Sequence, residues 1–146
     1  MTVKNIIAER VHHLFWDKDW PCVPAVLTIY KEIFKADIND DVIAASRGLN
    51  GGGQYGAQCG LLEANLMFIA LLGKERDYTQ EQINELCAEF SGCFEKKFKS
   101  LLCREIRPEG FVPENPPHLC ETRTVDSMLF ALEFYGDKMN LTPIVT

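Results

Sequence analysis

Apolar residues recur every three or four positions along nearly the whole chain, and no segment alternates convincingly as a strand would. That period of 3.6 commits the backbone to helices that each bury one face. Val3, Ile6, Ile7, Val11, Leu14 and Phe15 mark the first helix. Pro21 and Pro24 punctuate the chain before a second helix, where Val26, Ile29, Tyr30 and Ile33 share a face; proline is tolerated in a first turn. Asn39 and Asp40 are good caps for a short helix through Ser46, with Gly48 as its stop. Asn50-Gly51-Gly52-Gly53-Gln54-Tyr55-Gly56 is the strongest loop signal, and it runs through Cys59-Gly60 into an apolar helix that ends near Gly73. Thr79 with Gln82 forms a capping box for the longest helix, to about Lys99, with Ile83, Leu86, Cys87, Phe90, Phe94 and Phe98 facing the core. A proline-rich loop from Arg107 to Pro117 precedes a last helix after Cys120, with Val125, Met128, Leu129, Leu132 and Tyr135 on one side. The expectation is an all-α, single-domain bundle over residues 1–146. It has five or six helices, a glycine-rich loop before a central apolar helix, an ordered core from about 3 to 136 and a loose tail from Asp137.

Charge and hydropathy narrow the function. A net charge of −6 argues against nucleic acid, which is bound through clustered Lys and Arg. The densest basic run, Lys96-Lys97 with Lys99, has Glu95 beside it and reads as a solvated helix face. No apolar run reaches the roughly 18 residues of a membrane span, since Leu61–Leu72 is interrupted by Glu63 and Asn65. Met1 to Arg10 carries Lys4, Glu9 and Arg10 and does not read as an export signal. A cytoplasmic location is expected, and there six cysteines stay reduced unless they are catalytic or bind metal.

Four of the six stand beside helix starts. Cys59 follows the glycine loop, Cys22 lies between Pro21 and Pro24, Cys120 opens the last helix, and Cys103 has Arg104 next door. Helix N-termini carry unpaired N–H groups and partial positive charge, which push a thiol toward thiolate. Gly51, Gly52, Gly53 and Gly60 let backbone N–H groups approach a bound anion or thiolate closely; the plainer reading is a turn. Cys87 falls on the core stripe of the long helix, and Cys93 sits at its edge. No Cys-x-x-Cys occurs, so a zinc knuckle and a thioredoxin-type dithiol are both absent. His12 and His13 are adjacent and point different ways. His118 is either a partner of Cys120 or a loop residue without a role. Glu63, one turn after Cys59, is either a base for that thiol or a solvated carboxylate.

Taken together, these residues resemble a family of small redox-active proteins, the C_GCAxxG_C_C family. Its pattern is read here as a lone Cys, a CGAxxG element after a glycine-rich stretch, and two further Cys. Cys22-Val23-Pro24-Ala25-Val26, Gly51 through Cys59-Gly60, Phe94 through Glu105, and Cys120 carry the similarity, from about Ile6 to Tyr135. In that reading Leu61 and Ala64 depart from the pattern, and both add bulk beside the site. The resemblance implies a redox role for Cys22, Cys59, Cys103 and Cys120, without a substrate. Three functions follow. The first is a cysteine-ligated centre, iron–sulfur or else zinc, for electron transfer with a redox partner protein or for sensing. The second is metal-free thiol–disulfide chemistry with Cys59 as the attacking thiol. The third is an interaction module whose cysteines only fill the core. A homodimer is compatible with each.

Overall fold

Local capping chemistry places most of the helix boundaries where the sequence puts them. In a computed structural model that describes residues 1–144, the Thr2 hydroxyl accepts from the Asn5 N–H at 3.1 Å and opens α1, Val3–His12. One wider, π-type turn, His13–Asp17, extends it. Pro21 caps α2, Cys22–Phe34. The Asn39 side chain accepts from the Asp41 N–H at 2.7 Å and starts α3, Asp40–Ser46. Gly48 does not stop this helix but lies inside a 3₁₀ turn, Arg47–Leu49, that continues it. α4 spans Gly60–Glu75, and α5, Gln80–Phe98, begins with the Thr79/Gln82 capping box. α6 is a single turn, Cys103–Ile106, and α7 is Glu121–Met139. The described residues thus hold seven α-helices; the one beyond the expected five or six is the short α6, whose four residues are too few to show a period. Their only β-type pairing is an isolated antiparallel bridge between Gln58 and Leu102.

The core forms where α2 packs on α4, with α5 and α7 closing around them and α1 lying on α7. Tyr30, Phe34, Phe68, Phe90 and Tyr135 make one aromatic cluster, with ring centroids 4.7–6.3 Å apart. Burying each large side chain contributes roughly 1.5–3 kcal/mol, so this cluster dominates the packing term. Asn65, a polar residue of the apolar helix, is fully buried at its centre. Its Oδ1 accepts from the hydroxyls of Tyr30, at 2.7 Å, and Tyr135, while its Nδ2 donates to the Leu61 carbonyl at 2.7 Å.

Two expectations shift. The buried face of α7 is Thr124, Ser127, Met128, Ala131, Phe134 and Tyr135; Val125, Leu129 and Leu132 lie at its margins. Small hydroxyl residues hydrogen-bonded to their own helix take interior places that hydropathy alone assigns to larger side chains: Thr124 Oγ1 donates to the Cys120 carbonyl at 2.8 Å and Ser127 Oγ to that of Thr124 at 2.9 Å. The segment from Asp137 is held in place. α7 continues to Met139, whose carbonyl accepts from Arg76, and the N–H groups of Leu141 and Ile144 donate to Tyr135 (3.1 Å) and Ile33 (2.6 Å). The last two residues of that segment, Val145 and Thr146, lie outside the described residues.

Candidate functional site

Each of the four cysteines stands at a helix start. Cys22 and Cys103 are the first residues of α2 and α6, and Cys59 and Cys120 are the N-cap residues of α4 and α7. Backbone pairing brings two of these starts together. The Cys59 N–H donates to the Leu101 carbonyl at 2.8 Å and the Cys103 N–H to that of Ala57 at 2.6 Å, on either side of the Gln58–Leu102 bridge. α2 joins them because Gly60 has no side chain. A Cβ there would stand 2.5 Å from Cys22 Sγ and 2.8 Å from Val23 Cγ2, inside any allowed contact. All four thiols then line one cavity of about 30 Å³, together with Asn50, Gly51, Gly60, Leu61, Ile106, Arg107 and Pro117.

The glycine loop takes a left-handed path. Gly51, Gly52, Gly53 and Gln54 have φ of +63°, +60°, +70° and +57°. A Cβ on Gly52 would meet the Ala57 nitrogen at 2.4 Å. Gly51 and Gly60 border the cavity, whereas Gly52 makes the tight turn and Gly53 faces open space. Phe111 of the proline-rich segment covers this loop, and the Gln54 side chain donates to the Pro113 carbonyl at 3.2 Å.

Backbone N–H groups near the sulfurs favour thiolate: that of Gly51 at Cys22, and those of Leu61 and Leu62 at the start of α4 at Cys59, while Cys22 Sγ itself donates to Asn50 Oδ1 at 4.0 Å. They do not make these thiols acidic. Burial pushes both Cys22 and Cys59 up to about 12, and neighbouring cysteines push the same way. Burial also raises Cys103 and Cys120, opposed at each by the charge of Arg107. The expectation that helix N-termini hold these groups as free thiolates is therefore overturned. A few N–H dipoles do not offset removing a charge from water.

Sequence reasoning looks to Arg104 as the cation beside Cys103; the structure turns it away, its Nε donating to the Gly56 carbonyl at 3.0 Å. The cation at the cavity is Arg107, one turn further on and only 9% exposed. Its Nη2 donates to the carbonyls of Asn115, at 2.8 Å, and Pro116, at 2.9 Å, while its Nε has no partner. Its position four residues after a helix-starting cysteine is the signal that would have found it, had α6 been expected.

The remaining candidates sit elsewhere. His118 stacks on Trp16, with centroids 3.8 Å apart. His12 and His13 pair with Glu121 and Asp17, at 2.9 and 2.8 Å, and so diverge. Glu63 is half-buried, its pKa raised by burial and lowered by a hydrogen bond from Gln58. Cys87 is partly buried against the core, and Cys93 is likewise partly buried on α5.

Chemically, the donor set suits a soft metal: four sulfurs around one cavity, with N–H donors and a buried cation to offset negative charge. Among the described residues, no three His, Cys, Asp or Glu side chains converge closely enough to hold a single ion. Neutral thiols have no force drawing them together.

The chain matches the family model described as "Putative redox-active protein (C_GCAxxG_C_C)" over residues 20–134. With Cys59 as the cysteine of its GCAxxG element, Gln58, Gly60 and Glu63 stand at the first glycine, the alanine and the last glycine. These, and not Leu61 and Ala64, are the departures from that pattern. No curated protein and no solved structure gives a significant match. No helix among the described residues is long and apolar enough to cross a membrane. Because the match spans well over half of the chain and contains all four cavity cysteines, the protein belongs to this redox-active family.

Proposed function

We propose that Cys22, Cys59, Cys103 and Cys120 ligate a metal centre, an iron–sulfur cluster in preference to a lone zinc ion, that exchanges electrons with a redox partner protein or senses its redox state. The observation that carries this reading is the shared cavity: four segments far apart in sequence present their cysteines to one small pocket. Two further features support it. N–H groups directed at sulfur are the means by which proteins stabilise and tune such centres. A buried arginine without a carboxylate partner among the described residues fits a site that carries net negative charge when loaded. When bound, the cluster supplies a one-electron carrier. The chain's part is to hold it, to exclude water through burial, and to set its charge environment. The metal-free alternative needs Cys59 as a ready thiolate, and burial holds it protonated at neutral pH.

Protein purified without oxygen is expected to contain iron and acid-labile sulfide and to absorb in the visible. Serine at any of the four positions removes the chromophore while helical circular dichroism persists. Zinc without sulfide would replace the cluster with a single-ion site. Colourless, metal-free protein whose Cys59 is alkylated rapidly would favour thiol chemistry.

A further inference from the structure

Resting on the metal reading above, we propose that Arg107 is the charge-compensating and positioning residue of the four-cysteine site. Its guanidinium offsets the negative charge of the loaded centre on the side of Cys103 and Cys120, and its Nη2 fixes the turn that delivers Cys120.

Three observations converge on this residue. Arg107 lines the cavity yet is nearly sealed from solvent. None of the ion pairs of the described residues includes it, so no carboxylate neutralises it. Burying an unpaired charge costs several kcal/mol, and chains retain one only where something compensates it. Two carbonyls do part of this; the unpartnered Nε marks the rest. Cysteine sulfurs able to become anions share the cavity with it, and its charge acts on both Cys103 and Cys120.

The second role follows from where its hydrogen bonds go. Asn115 and Pro116 immediately precede the 3₁₀ turn Pro117–Cys120, and both carbonyls accept from the same nitrogen. The residue that faces the sulfurs therefore also clamps the segment carrying the fourth one. Phe111, with its ring centroid 5.9 Å from Arg107 Cζ, closes the other side of the guanidinium.

The test compares wild type, Arg107→Lys and Arg107→Gln, each reconstituted anaerobically with iron and sulfide. Iron content, iron release to a chelator and the midpoint potential are measured. Reduction adds negative charge beside Arg107, so its loss disfavours the reduced form. Arg107→Gln is expected to shift the reduction equilibrium at least about tenfold toward the oxidised form, about 59 mV more negative for one electron. Arg107→Lys keeps the potential but, with a single nitrogen to serve both the carbonyls and the sulfurs, releases iron several-fold faster. Loading of the Lys variant but not the Gln variant also supports the proposal.

A loaded Gln variant with the wild-type potential would overturn it. So would equal failure of both variants to load while still helical, which leaves the charge without a role. A Gln variant that unfolds before any metal is added overturns it too, since the guanidinium then serves the fold alone. Wild type that takes up no iron and sulfide fails at the earlier step; it removes the metal reading and this inference with it, before any variant is compared.

Discussion

Replacing Gly60 with alanine restores the residue that the family pattern carries there, yet it should damage this protein. A Cβ at this position lands 2.5 Å from Cys22 Sγ and 2.8 Å from Val23 Cγ2. The sulfur can rotate away; the branched valine cannot do so freely, because its χ1 is restricted in a helix. Overpacking of this kind costs about 1–3 kcal/mol. Alanine's helix preference returns up to about 1 kcal/mol, and less in a first turn. The expected balance is a loss of about 0–3 kcal/mol, with Cys22 driven off the cavity as the less costly relief. Urea unfolding of the metal-free protein measures the first effect, and iron per chain after anaerobic reconstitution measures the second. Gly48→Ala is the control: nothing lies within 4 Å of a Cβ there and its φ is ordinary, so it should be neutral or slightly stabilising. The decisive result is the pairing of modest destabilisation with marked loss of iron in Gly60→Ala. If that variant were as stable as wild type and held as much iron, α2 and α4 would not meet at Cys22 as described.

Asn65→Ala should be far more damaging than either tyrosine change, because one oxygen serves two buried hydroxyls. Stranding both costs about 2–5 kcal/mol, whereas Tyr30→Phe strands neither and should cost about 1 kcal/mol; similar urea midpoints would count against the network. Cys22 and Cys59, raised from 9.0 to about 12, impose a pH dependence on the metal-free protein. Above about pH 9 the unfolded chain releases protons that the folded one keeps, so stability is full below that pH and falls between 9 and 12. Two thiols give a slope of up to about 2.7 kcal/mol per pH unit. Tyr30 and Tyr135, also raised, add to the wild-type fall, so the measurement is the difference from Cys22→Ser/Cys59→Ser; parallel profiles would exclude the effect. Serine at Cys87 or Cys93 should leave iron content at the wild-type level, since neither lines the cavity; iron loss from either variant would redraw the ligand set.

The helices were legible because their causes are local. The Thr79 hydroxyl and the Gln82 side chain satisfy N–H groups within one turn, and the Asn39 side chain does the same for Asp41. Such bonds depend on residues three or four apart, which a linear reading sees. The placement of Cys22, Cys59 and Cys120 at helix starts was legible for the same reason. Less visible was α6, one turn whose start depends on pairing between 57–59 and 101–103. The α7 face was displaced because burial there is decided by where α1, α2 and α4 pack against it.

What the sequence determined by itself, then, was an all-helical chain with three thiols at helix N-termini and a glycine-rich loop before the central helix. Capping, periodicity and backbone freedom at glycine are short-range properties. Whether the four thiols meet, whether burial outweighs the helix-end field, and which arginine faces them are long-range properties. Only the tertiary structure decided these. Desolvation and charge depend on every atom around a group, and it was the missing side chain of Gly60 and the Arg107 Nη2 clamp that brought distant segments to one cavity.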